Sequence, residues 1–208
     1  MTNQELIDSG KVLPVMEMFY SLQGEGYHTG KPAFFIRIGG CDVGCFWCDV
    51  KESWKASLHP LLSIEEMVKL VKMTSADAVV ITGGEPFLYN LNLLTKALKK
   101  NKYTIFIETS GTAEITGIID WICLSPKKNH QPLPYFFEKA NELKVIIHDK
   151  SDFEWAEQNA LKVNGKCKLY LQPEWSVAKK MTPLIIDYIK KNTKWTISLQ
   201  THKFLNIP

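Results

Sequence analysis

Arginine is almost missing from this chain: of its 25 basic residues 24 are lysine, and the one arginine is Arg37. Net charge is nearly absent as well, since 25 basic against 22 acidic side chains leave +3, with the lysines scattered along the sequence. A phosphate-backbone footprint needs a basic patch or stripe, so nucleic acid is not the expected partner. Long apolar runs are missing too. Stretches such as Ala33–Ile36 and Ala78–Ile81 fall far short of the ~20 residues a helix needs to cross a bilayer, and residues 1–12 hold no secretory apolar core. The expectation is a cytoplasmic protein with no membrane contact. Low-complexity tracts, repeats and linkers are also absent. What remains is an ordinary globular composition, 45% hydrophobic and 23% charged over 208 residues, expected to fold as one domain spanning 1–208. A chain of this length buries enough surface to fold without disulfides or a structural metal.

Cysteine is scarce and unevenly placed. Of five, three fall in Cys41-Asp42-Val43-Gly44-Cys45-Phe46-Trp47-Cys48, while Cys123 and Cys167 stand alone in apolar segments and read as core residues. An odd number, clustered, without a secretory signal, points to metal or cluster ligation rather than a disulfide framework. The lone Arg37 lies four residues before the first of them, where a planar guanidinium fork suits a carboxylate or a heterocycle edge.

Apolar, β-branched runs at 33–38, 78–82, 104–109, 121–124, 143–147, 169–171 and 196–199 predict buried, largely parallel strands. Helices are predicted between them. One, from Ser63 to about Met73, opens on the capping box Ser63-Ile64-Glu65-Glu66 and carries Ile64, Met67, Val68 and Val71 on one face. Others are expected over 91–98, from a second capping box at Ser151-Asp152-Phe153-Glu154 to near Gly165, and over 177–191. Alternating β and α units imply a parallel sheet, and a closed eight-fold barrel typically takes ~250 residues, so only a shortened or open version fits.

In such folds ligands bind at the carboxyl ends of the strands. Those ends are polar here: Gly39-Gly40-Cys41, Thr82-Gly83-Gly84-Glu85-Pro86, Glu108-Thr109-Ser110-Gly111, Ser125-Pro126-Lys127, Gln172-Pro173 and Gln200-Thr201-His202. Glycine and proline punctuate every αβ unit, but six such sites on one rim favour a bound molecule held by many hydrogen bonds. The three clustered thiols suit a cubane iron–sulfur cluster better than zinc. No second cysteine or histidine pair completes a tetrahedral site, whereas three thiolates leave one iron of a cubane open to a ligand.

The spacing Cys41-x3-Cys45-x2-Cys48, with Phe46 and Trp47 before the last cysteine, resembles the signature of the radical S-adenosylmethionine enzymes. Gly83-Gly84-Glu85-Pro86 resembles their second motif. A narrower resemblance runs from about Phe19 to the last residue. Leu22-Gln23-Gly24-Glu25-Gly26, Arg37-Ile38-Gly39-Gly40-Cys41 and the tail from Leu199 to Pro208 are similar to those of the 7-carboxy-7-deazaguanine synthases. The fold implied is α/β, a shortened, open (partial) parallel β/α barrel of the radical-SAM type. The implied activity converts 6-carboxy-5,6,7,8-tetrahydropterin to 7-carboxy-7-deazaguanine with loss of ammonia, on the route to queuosine in tRNA.

The resemblance also implies a 4Fe-4S cluster on Cys41, Cys45 and Cys48, S-adenosylmethionine on its open iron, Mg2+, a homodimer, and an electron donor such as flavodoxin or ferredoxin. Cofactor contacts carry over to Trp47, Asp49, Gly84, Glu108, Ser110, Ser125, Pro126, Lys127 and Gln172. Substrate contacts carry over to Leu22, Gln23, Gly24, Glu25, Arg37, Thr82, His202 and the carboxylate of Pro208, with the tail 199–208 closing the pocket. One position departs from the family. Where a threonine hydroxyl commonly reaches magnesium, this chain has Cys48-Asp49-Val50, which leaves Asp49 nearest the ion and implies a weakened magnesium requirement. Two alternatives stand beside this reading: a glycyl-radical-enzyme activase, which shares the cysteine spacing, and a non-catalytic iron–sulfur or zinc module.

Overall fold

The structure, a computed structural model, describes all residues from Met1 to Pro208. In chain order the elements are α1 (Asn3–Asp8), β1 (Val12–Leu22), β2 (Pro32–Ile38), β3 (Leu61–Ser63), α2 (Ile64–Lys72), β4 (Ala78–Gly83), α3 (Asn92–Lys100) and β5 (Thr104–Thr109). They continue with β6 (Trp121–Leu124), α4 (Tyr135–Lys139), β7 (Glu142–Ile147), α5 (Ser151–Ala160), β8 (Lys168–Pro173), α6 (Ala178–Lys191), β9 (Trp195–Ile197) and α7 (Thr201–Leu205). The nine strands form one sheet in the order β3-β1-β2-β4-β5-β6-β7-β8-β9. From β2 to β9 all neighbours are parallel, as the alternation of strand and helix implied, and β3 and β9 do not pair, so the barrel is open.

Strand alternation decides where the core and the site lie. Residues such as Ile36, Val79, Ile81, Ile105, Ile107, Leu143, Val145 and Leu171 turn outward and join helix residues including Met67, Val71, Leu94, Leu98, Met181 and Ile185 in the main core. The inward face changes character along each strand. Near the strand starts it is apolar, with Ala33, Phe35 and Val80 packed beside Phe19 and Phe106. Two residues further on it is polar, with Arg37 paired in register with Thr82, and Glu108 and Lys144 on β5 and β7. Each strand thus carries its apolar residues to the helices and its polar ones to the carboxyl end of the sheet interior.

Sequence expectations hold for seven strands and differ elsewhere for identifiable reasons. β1, which pairs antiparallel with β2 and β3, was not foreseen; a register shift between Val15 and Glu17 interrupts its alternation, and much of the strand is only half-buried. At α2 the capping box forms as expected, Ser63 Oγ accepting from Glu66 N at 3.2 Å and Glu66 Oε2 from Ser63 N at 2.8 Å. The second predicted box does not form. Ser151 lies inside α5, and Asp149 Oδ1 takes the Ser151 N–H at 2.7 Å, while Asp152 Oδ2 accepts from His148 N and Asp149 N. α5 also ends at Ala160 rather than near Gly165, its last turn tightened by Lys162 N donating to Asn159 O. Cys123 is buried as expected; Cys167 is only partly so, packed against the core. No helix is long and apolar enough to cross a membrane.

The open side of the sheet is bridged by the β1–β2 connection. Gln23 N donates to Lys31 O and Gly30 N to Gln23 O, closing this loop on itself, and His28 stacks on Phe106 with ring centres 4.1 Å apart. Across the gap, Gly26 N donates to Ser198 Oγ, and Gly24 O accepts from Thr201 N and Oγ1. A Cβ on Gly24 would run into the His202 imidazole, so the tail rests directly on this backbone. These contacts join the β1–β2 connection to the segment after β9 without a strand between them.

Candidate active site

The cysteine loop follows β2 and is fixed by its backbone. Gly40 N donates to Ser53 O, Cys41 N to Trp54 O and Cys48 N to Cys45 O, and Asn129 Nδ2 donates to Val43 O at 2.6 Å. Cys41, Cys45 and Cys48 are all free thiols, partly buried. They line one cavity of about 230 Å³ at the carboxyl ends of the strands, together with Trp47, Asp49, Gly84, Glu108, Ser110, Ser125, Lys127 and Gln172. Glu25, Arg37 and Thr82 line it too, and pass into an adjoining cavity of similar size bounded by Leu22, Gln23, Gly24, His202 and Pro208. Pro126 does not line either cavity; it is buried behind the strand end.

No three Cys, His, Asp or Glu side chains converge on a single-ion site. The donor set suits a larger group: three thiols on one loop, facing one cavity, with soft sulfur ligands and no fourth cysteine beside them. Gly84 supports this fit. A Cβ there would overlap the Gly40 carbonyl oxygen and stand 2.9 Å from Cys41 Cβ, so only glycine lets the β4 turn lie against the cysteine loop.

Several expected contact residues are already engaged with one another. Ser110 gives its N–H and Oγ–H to Glu85 Oε2, and Thr109 Oγ1 donates to Glu85 Oε1 at 2.6 Å. Glu85 is buried, and it is the residue that organises this rim. Gln172 Oε1 accepts from Ser198 Oγ, and Lys127 Nζ donates to Ser125 O and Oγ while standing 5.6 Å from the centre of the Trp47 ring. Asp49 Oδ2 accepts from Lys203 Nζ at 2.7 Å and Gln200 Nε2 at 3.0 Å. Burial would raise the Asp49 carboxyl, but these two donors hold it below the usual carboxylate range. Arg37 Nε donates to Glu17 Oε1 at 2.6 Å, so a surface carboxylate orients the lone guanidinium along the cavity wall. Ser21 Oγ donates to Pro208 O, which holds the chain end beside the same wall.

The most consequential residue that sequence reading passed over is Lys144. Its Nζ donates to Glu25 Oε2 at 2.5 Å and to Glu108 Oε2 at 2.8 Å, with the side chain only 4% exposed. The available signal was a charge at an inward position of the otherwise apolar run Leu143–Ile147. Glu142 lies one pleat below, accepting from Trp121 Nε1 and Tyr27 N, and its carboxyl is pushed up to about 7 by burial and by the Glu108 carboxylate. In the sequence Glu85 stands out only as part of the Gly83-Gly84-Glu85-Pro86 motif; its role as a buried carboxylate follows from packing rather than spacing.

An open parallel barrel with a three-thiol loop at the carboxyl end of its first parallel strand and a glycine turn packed on that loop defines a radical S-adenosylmethionine protein. Residues 35–121 match the Radical SAM superfamily. The relatives are more specific. A 7-carboxy-7-deazaguanine synthase of Flavobacterium psychrophilum is 54% identical over 99% of this chain and 97% of its own length. The 7-carboxy-7-deazaguanine synthase of Synechocystis sp. is 47% identical over 93% of each. The crystal structure of QueE from Escherichia coli superimposes with a TM-score of 0.82 at 33% identity, covering 95% of this chain and 98% of that one. The chain belongs to the 7-carboxy-7-deazaguanine synthase family of radical SAM enzymes.

Proposed function

We propose that this chain is a radical SAM lyase that converts 6-carboxy-5,6,7,8-tetrahydropterin to 7-carboxy-7-deazaguanine with loss of ammonia, a step of queuosine biosynthesis. The supporting observation is the continuity of the two cavities, which puts the three thiols at one end and Gln23, Glu25 and Arg37 at the other. A pterin offers an amide and amino edge and a carboxylate; the second cavity offers amide and carboxylate acceptors and a guanidinium in the same space.

Cys41, Cys45 and Cys48 would hold the 4Fe-4S cluster, and Trp47, Gly84, Glu108, Ser110, Ser125, Lys127 and Gln172 would surround S-adenosylmethionine. When bound, this pair supplies one-electron cleavage of the sulfonium and removal of a hydrogen atom from the substrate. The chain's own part is placement and exclusion of water. Glu25, ionised and facing the cavity, accepts from the pterin edge; Arg37 pairs with the substrate carboxylate; Thr82, at the junction of the cavities, sits between cofactor and substrate. His202, which burial keeps below its ordinary pKa and therefore neutral at pH 7, packs the tail over the pocket. The reading takes a homodimer and a flavodoxin or ferredoxin as partners.

The test is an anaerobic assay of the iron-reconstituted protein with S-adenosylmethionine, reductant, magnesium and the pterin, with product read by mass spectrometry. Cleavage of S-adenosylmethionine without a deazapurine would remove the substrate assignment. A tag beyond Pro208 is expected to reduce activity far more than one before Met1, because Pro208 lines the substrate cavity. Equal tolerance of both tags would remove that role.

Magnesium belongs to the same proposal. Val50 lines both cavities with no side-chain oxygen, and the nearby Asp49 is already paired with Lys203. A hard cation demanding oxygen ligands therefore lacks a side-chain hydroxyl at position 50 and would lean on substrate, water and Asp49. After chelator treatment the enzyme is expected to keep substantial activity and to gain less from added magnesium than a Val50→Thr variant does. A magnesium titration of both checks this, and an absolute requirement in the native protein would oppose it.

A further inference from the structure

We propose that Lys144 is a positioning residue that fixes Glu25 as an ionised acceptor toward the substrate and ties it to Glu108 on the cofactor side. This deepens the functional reading above and rests on it for the identity of the substrate.

The geometry is specific. Lys144 is on β7, with Leu143 and Val145 turned outward into the core and its own chain turned inward. Its Nζ bonds both carboxylates, Glu25 from the β1–β2 loop and Glu108 from β5. Glu25 Oε1 is free of the ammonium and accepts from Gln200 Nε2, so the carboxylate is gripped from two sides. No other cation on the floor of the cavity is bonded to Glu25. Arg37 is turned to Glu17, Lys203 to Asp49, and Lys127 to Ser125.

Electrostatics point the same way. Burial by itself would push the Glu25 carboxyl up, toward the neutral acid. The Lys144 charge, with hydrogen bonds from Lys144, Gln172 and Gln200, brings it below the ordinary value instead. Lys144 in turn is held protonated despite burial, by the Glu108 and Glu25 carboxylates bonded to it. The other charged or titratable groups around Glu25 are Glu108 on β5, Glu142 on β7, Arg37 on β2, Asp49 in the cysteine loop, His28 in its own loop, and His202 and Lys203 on α7. None of the cations among them is bonded to Glu25. A protonated Glu25 would present a hydroxyl to an edge that itself donates, and recognition would fail.

The test uses the cluster-reconstituted protein under anaerobic conditions and compares the native chain, Lys144→Met, Lys144→Gln, Glu25→Gln and the Glu25→Gln/Lys144→Met double variant. Iron, sulfide and melting temperature are read alongside. Lys144→Met is expected to weaken 6-carboxy-5,6,7,8-tetrahydropterin binding, by calorimetry, on the order of tenfold to a hundredfold, and to raise KM more than it lowers kcat. The deficit, read as the ratio to the native protein at each pH so that the Glu142 titration at about 7 is common to both, should grow as pH falls from 8 to 6. Glu25→Gln should show a loss without that pH dependence, and the double variant should bind no worse than Glu25→Gln alone. Independently of any pterin, the 13C carboxyl resonance of Glu25 should titrate at higher pH in Lys144→Met than in the native chain. Native-like pterin affinity in Lys144→Met, a pH-independent deficit, additive losses in the double variant, or an unmoved Glu25 titration would each overturn the proposal. Should Lys144→Met fail to fold, Lys144→Gln, one atom shorter, keeps a donor without the charge and carries the same expectations. Absence of pterin binding by the native protein would instead overturn the substrate assignment, leaving the carboxyl titration to decide the role of Lys144.

Discussion

Cys48→Ala is expected to abolish cluster assembly and to lower deazapurine formation by on the order of a thousandfold or more, equivalent to about 4 kcal/mol of barrier. Cys41, Cys45 and Cys48 are the only thiols on the cavity wall; Cys123 and Cys167, the remaining two, do not line it. No replacement ligand is therefore at hand. The nearest polar wall residue in sequence, Asp49, is held by Lys203 and Gln200. Iron and sulfide analysis with visible absorption checks the assembly, and mass spectrometry checks the product. A variant that loads and turns over normally would remove Cys48 from the ligand set.

Gly84→Ala should come next in size, and it acts through packing rather than ligation. Two hydrogen bonds clamp the β4 turn to the end of β2: Gly84 N to Ile38 O and Glu85 N to Gly40 O, both 2.9 Å. An added methyl would overlap the Gly40 carbonyl and stand 2.6 Å from its carbon. These are backbone atoms next to Cys41, so relief requires moving the cysteine loop itself. A loss of about 2–3 kcal/mol in stability is expected, with reduced iron loading. Gly165→Ala is the control, since nothing lies within 4 Å of its Cβ; its effect should stay within about 0.5 kcal/mol. Thermal or denaturant unfolding measures both. Wild-type stability and iron content in Gly84→Ala would mean that the loop is more compliant than its hydrogen bonds suggest.

Much of this molecule was legible before any fold was known, for local reasons. Strand and helix periods depend on neighbours within a few residues, so seven parallel strands and α2 with its cap could be read directly. The three thiols were equally legible, because their spacing within one loop is itself the site, and the polar residues after each strand were already on the rim by virtue of their place in the chain. Failures of local reading are instructive as well. The Ser151 pattern looked like a cap, but Asp149, two residues earlier, satisfies that end of the helix. The register shift in β1 hid a strand whose regularity is imposed by its partners β2 and β3.

Everything that depends on residues far apart in sequence was left to the tertiary structure. Lys144 lies 119 positions from Glu25 and 36 from Glu108, and only the curvature of the sheet brings the three carriers of charge together. The same holds for Glu85, which gathers Thr109 and Ser110 from the next strand, and for the bridge from Gly24 and Gly26 to Thr201 and Ser198 that spans the open barrel. The sequence by itself determined the element types and the ligand chemistry, because hydrophobic period and thiol spacing are short-range properties. Which carboxylates stay charged, and toward what, was decided only by folding, because burial and pairing act through space.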